Sequence, residues 1–71
     1  MNQVNPKHLL NSKWTKTEVV NKEKHFIIVE LLKDEEDTII GCSIEAVINH
    51  NQYQINWREL KNSTVWRYGW Q

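Results

Sequence analysis

The side chains able to do chemistry here are Cys42, the histidines His8, His25 and His50, the acidic run Asp34–Asp37, and tryptophans set among lysines and arginines. Nucleophilic catalysis needs a base and an orienting group beside the nucleophile. Cys42 instead falls in the alternating run Ile40, Cys42, Ile44, Ala46, Ile48, the pattern of a buried strand face, where a thiol behaves as a small hydrophobe and keeps its proton. The histidines fall in a helical turn, at a strand start and in a hairpin loop, and no C-x-x-C or H-x-x-x-H pair gives zinc-ligand spacing. Asp34-Glu35-Glu36-Asp37 lacks the glycine and the alternating ligands of a calcium loop and reads as a solvated hairpin tip. Arg58-Glu59-Leu60-Lys61 reads as an exposed helical turn. No enzyme activity, metal or cofactor is expected.

The aromatic and cationic residues are more informative. Formal charge is zero overall, but it is segregated: net +3 over residues 1–25, net −5 over 26–45 and net +2 over 46–71. Pairing of the first strand with the last brings Lys13 and Lys16 toward Arg67, with Trp14, Trp66 and Trp70 between them. Stacking faces beside cations suit a single-stranded nucleic acid, whose bases stack and whose phosphates need charge. The candidate binding set is therefore Lys13, Trp14, Lys16, Trp66, Arg67 and Trp70, and the expected partner is RNA. The alternative is a protein or peptide held in an aromatic groove, the chain acting as an interaction adaptor. The competing structural reading makes the tryptophans core, overlaid by lysine and arginine stems.

Period-two patterning supplies the elements that must position these residues. Asn5-Pro6-Lys7-His8 opens a short helical turn, with Leu9 and Leu10 as an apolar plug. Lys13–Val20 is a first strand, and His25–Lys33, apolar on both faces, is a central one. A third strand runs from Thr38 to Ile48, interrupted by Gly41, a position that marks a bulge or bend. Tyr53, Ile55 and Trp57 line a fourth strand. A helical turn over Arg58–Ser63 precedes the last strand, which places Trp66, Tyr68 and Trp70 on one face. The expected core is Ile27, Val29, Ile40, Ile44, Ile55 and Trp57.

The expected fold is all-β: a five-stranded antiparallel meander forming an SH3-like, partly open barrel, with a short N-terminal helical turn and a second before the last strand. At 71 residues there is room for one domain, an arm over 1–12 and the sheet or barrel over 13–70. One cysteine allows no internal disulfide, and no apolar run approaches the ~18 residues of a membrane span. The N-terminus shows no signal-peptide pattern, so a cytoplasmic location is expected. Ordering so short a chain demands large buried side chains, and four Trp, two Tyr and one Phe can supply them.

Asn5-Pro6-Lys7, Leu9-Leu10, Ser12-Lys13-Trp14-Thr15, Glu23-Lys24-His25-Phe26, Trp57-Arg58-Glu59-Leu60-Lys61 and Trp66-x-x-Gly69-Trp70 together resemble the short tryptophan-rich bacterial proteins of unknown function. The likeness runs from Asn5 to Trp70. Glu45-Ala46-Val47 resembles that family's third strand, whereas Asn49-His50-Asn51 is less basic than the corresponding turn in many members. The resemblance implies no activity, substrate, cofactor or functional residue.

Overall fold

The computed structural model describes residues 1–71. Five antiparallel strands form one open sheet in the order β4-β3-β2-β1-β5: β1 (Lys13–Val20), β2 (Glu23–Lys33), β3 (Ile39–Ala46), β4 (Gln52–Ile55) and β5 (Trp66–Tyr68). Two short 3₁₀ turns, η1 (Pro6–His8) and η2 (Trp57–Lys61), complete the fold. The meander and both helical turns match the expectation. The hydrogen-bonded ladder leaves β4 and β5 as the two edges, so the sheet is open.

Local chemistry explains the elements. Asn21 and Lys22 both take positive φ (55° and 64°), the backbone of a tight hairpin turn between β1 and β2. Asn5 caps η1 through its side-chain oxygen, and Pro6 occupies the first helical position. Asn56 and Glu59 form a reciprocal capping box on η2, satisfying donors at the turn's open end. Gly41 lies where the Ile55 carbonyl oxygen would sit 2.8 Å from any Cβ, so only glycine lets β4 approach β3 there.

One face of the sheet carries the core: Trp14, Phe26, Ile28, Cys42, Ile44, Ala46 and Trp66, covered by Leu9 from the arm and by Trp57 and Leu60 from η2. Asn2 ties the arm down, its Nδ2 donating to the carbonyl oxygens of Leu60 (2.8 Å) and Trp66 (2.6 Å). Burial pushes the Cys42 thiol up to about 11, so it is a packed apolar group at neutral pH.

The expected core needs correction. Ile44 and Trp57 are buried, but Ile27, Val29 and Ile55 are only half-buried and Ile40 is exposed. Ile27 pairs with Lys13 and Glu45 on the outer face, while its neighbours Phe26 and Ile28 face inward. Val29 and Ile40 are the extra residues of two bulges, between the pairs Ile28–Ile44 and Glu30–Ser43 and between Leu32–Gly41 and Lys33–Ile39. A bulge shifts the two-residue alternation by one, which sets Leu31 rather than Glu30 opposite Cys42. The third strand also ends at Ala46, so Ile48 lies exposed in the following turn. Tyr53 keeps the core face, opposite Ile44 and edge-on to the Phe26 ring at 6.5 Å, but is 41% exposed.

Glu23 is buried at the start of β2. Its carboxylate accepts hydrogen bonds from Asn49 Nδ2 (2.8 Å), Asn51 Nδ2 (3.1 Å) and the Tyr53 hydroxyl (2.8 and 3.0 Å), joining the β3–β4 hairpin to the β1–β2 turn. These donors, Asn49 first and then Tyr53, hold the carboxyl below its ordinary value of 4.5, with the nearby Lys16 charge adding to the effect. The same bond raises the Tyr53 hydroxyl. A carboxyl whose folded value is depressed contributes stability that is present above the unfolded value and is lost as pH falls through the folded one. In thermal melts from pH 7 to pH 3, the stability advantage of the wild type over Glu23→Gln is expected to shrink as the pH drops below about 4.5. Parallel curves for the two proteins would remove Glu23 from the acid response.

Candidate functional site

The sheet divides the six candidate residues into two sets. Trp14 pairs with Tyr68 and Lys16 with Trp66, which places Trp14, Lys16 and Trp66 on the core face. Trp14 and Trp66 are 1% and 5% exposed, so neither offers an open ring to a ligand. Lys16 Nζ lies 5.9 Å from the Trp66 ring centroid. Lys13 and Arg67 belong to the opposite, outer face, flanking Thr15.

Trp70 joins the outer set. Straight continuation of β5 would have placed it beside Trp66, as the alternation predicts. Gly69 breaks the strand with φ +81°, a conformation that costs other residues free energy, and the chain hooks over the outer face. Thr15 holds both sides of the hook: its Oγ1 donates to the Gly69 carbonyl oxygen (2.7 Å) and accepts from the Gln71 N–H (2.9 Å). The Trp70 indole N–H donates to the Phe26 carbonyl oxygen at 3.0 Å. Lys13 Nζ lies 5.0 Å from the Trp70 ring, and the His25 ring stands 5.8 Å from it at a 34° tilt. His25 Nε2 donates to the Gln71 carbonyl oxygen (2.9 Å), which fixes the proton on that nitrogen when the ring is neutral. Trp70 is thus immobilised from three sides yet 45% exposed.

Beside the hook runs a shallow groove whose lining includes Thr15, Lys16, Lys24 and Arg67 and no acidic side chain. Lys24 and His25 were not singled out for this surface, and Thr15 and Gly69 were not foreseen as its supports. Only Gly69 carried a signal, being a glycine inside a strand pattern. The remaining aromatic–cation contacts surround Trp57, with Arg58 at 4.8 Å and Lys61 at 5.2 Å, where the long stems cover a buried ring. No three His, Cys, Asp or Glu side chains converge as a metal site would require. No helix is long and apolar enough to cross a membrane.

The fold and this surface define a small all-β domain with three tryptophans in or against the core and a fourth displayed on the outer face of the sheet. The chain belongs to the family described as Tryptophan-rich protein (DUF2389), whose model matches residues 12–71. The match takes in all five strands and all four tryptophans and leaves out the arm that precedes Ser12. No curated protein and no solved structure matches the chain.

Proposed function

We propose that this protein is a non-catalytic binding module that contacts single-stranded nucleic acid, RNA in the first instance, through the outer sheet face at Trp70, Lys13 and Arg67. The observation that carries the reading is the fixed, half-exposed Trp70 indole beside cations. An aromatic ring held in place before binding loses little freedom when a base stacks on it. Lys13, Lys24 and Arg67 are the cations that would meet phosphates, with Lys16 lining the same groove as Lys24 and Arg67. None of the three is paired with a carboxylate in a salt bridge. The absence of catalysis in this proposal rests on Cys42, whose buried, protonated thiol is unsuited to attack.

The test is fluorescence anisotropy of a labelled single-stranded RNA, titrated over a range of salt. With about three phosphates contacted, log affinity is expected to fall against log salt with a slope near −2. Trp70→Ala should remove about 1–3 kcal/mol of binding, one base stack, while the protein stays folded. An affinity that ignores salt, or no binding at low salt, would sink the proposal. The adaptor reading draws on Val47, 41% exposed, and half-buried Ile27 on the same face, which add apolar area a protein could cover. Retention of one protein from a cell extract after RNase treatment would favour it.

A further inference from the structure

A second aromatic site lies on the other side of the β5 edge. Tyr68 is 65% exposed, and its ring stands edge-on to Trp14 with centroids 5.2 Å apart. The N-terminal arm passes in front of this pair and leaves a half-open crevice of about 180 Å³, walled by Trp14 and Tyr68 and rimmed by Gln3, Asn5 and His8. The crevice is smaller than the ~300 Å³ at which sites for drug-sized ligands begin, so it suits one planar ring system. Tyr68 gives it one exposed aromatic wall, and the amide and imidazole groups on its rim carry both donors and acceptors, the combination that reads the edge of an unstacked base. The side chains of Gln3 and His8 and the Tyr68 hydroxyl make no hydrogen bond within the protein, which leaves them available to a ligand.

We propose that this crevice is a nucleobase subsite, which takes one base of the same single strand that stacks on Trp70. The inference rests on the RNA-binding reading above. Its geometric basis is the position of β5 at the sheet edge: a strand passing over that edge meets Tyr68 on the core side and, two residues further on, Trp70 on the outer side. Lys13 and Arg67 lie on the outer side of the same edge, where phosphates following the second base would run. Because five of the eight residues lining the crevice belong to the arm, the subsite draws on residues outside the stretch that the family model matches.

The experiment uses a labelled six-nucleotide single-stranded RNA of mixed sequence and a free mononucleotide as separate probes. Tyr68→Ala is expected to weaken the six-nucleotide RNA about tenfold and Tyr68→Phe to retain most of the affinity. Trp70→Ala serves as the comparison, and circular dichroism checks that each variant is folded. In parallel, the indole N–H signal of Trp14, which donates to Ser12 Oγ at 2.9 Å in the crevice wall, should shift in ¹H–¹⁵N spectra when the RNA is added. If Tyr68→Ala binds within twofold of wild type and the Trp14 signal stays still while Trp70→Ala loses affinity, the subsite is overturned and the RNA-binding reading stands. A wild type that binds no RNA overturns both. A mononucleotide that binds as tightly as the six-nucleotide RNA overturns the assignment to a strand.

Discussion

Trp14→Ala is expected to remove about half of the protein's folding free energy. Trp14 is 1% exposed and lies at the middle of the core face, paired in register with Phe26 on one side and Tyr68 on the other. Its indole N–H donates to Ser12 Oγ, which in turn donates to the Leu9 carbonyl oxygen, so the ring also anchors the arm. Removing a buried tryptophan ring loses its transfer free energy and opens a cavity, together about 3–5 kcal/mol. At roughly 0.05–0.15 kcal/mol per residue, a chain of this length has only about 4–10 kcal/mol in all. Urea titration followed by circular dichroism measures the loss, and a change below about 1 kcal/mol would mean that Trp14 is not the centre of the core.

This central place was only half legible in the sequence. Alternation in Lys13–Val20 marked a strand, and a strand sends neighbouring residues to opposite faces. Lys13 and Trp14 therefore could not share one surface, and Lys13 with Lys16 could not either. One patch of all these aromatic and cationic residues is incompatible with that period, and the register sends Trp14 and Trp66 to one face and Lys13 and Arg67 to the other. The face of β2 could not be chosen from its own residues, because Phe26, Ile27, Ile28 and Val29 are all apolar. The choice is made by register, Trp14 opposite Phe26 and Lys13 opposite Ile27, and register depends on turn and bulge geometry that no single strand reveals.

The bulges account for a second group of misassigned residues. Ile40 fits the alternation of Cys42, Ile44 and Ala46, yet an unpaired residue at the bulge turns it to solvent at 50% exposure. Gly41 signalled irregularity there without saying which neighbour would be displaced. Glu23 was illegible for another reason. Its partners Asn49, Asn51 and Tyr53 lie in a different hairpin, 26 to 30 residues away, and only the assembled sheet brings them to it. The capping box at Asn56 and Glu59 needs only four consecutive residues, and the helical turn it starts was placed to within a residue or two.

Trp66 and Trp70 are expected to respond to alanine in opposite ways, although the sequence puts them in one alternating set. Trp66 is 5% exposed, its ring edge-on to Phe26 at 5.2 Å, and its carbonyl oxygen accepts the Asn2 side chain. Trp66→Ala should therefore cost about 3–5 kcal/mol and loosen both β5 and the arm. Trp70 lies across the Gly69 turn, on the far side of the sheet, with nearly half its surface in water. Its loss removes one indole hydrogen bond and part of one apolar contact, a change of about 1–2 kcal/mol. Denaturant unfolding of the two variants side by side separates the roles. If Trp70→Ala unfolds the protein as severely as Trp66→Ala, the hook is a structural clasp, the platform for stacking disappears, and the outer face keeps only its charges.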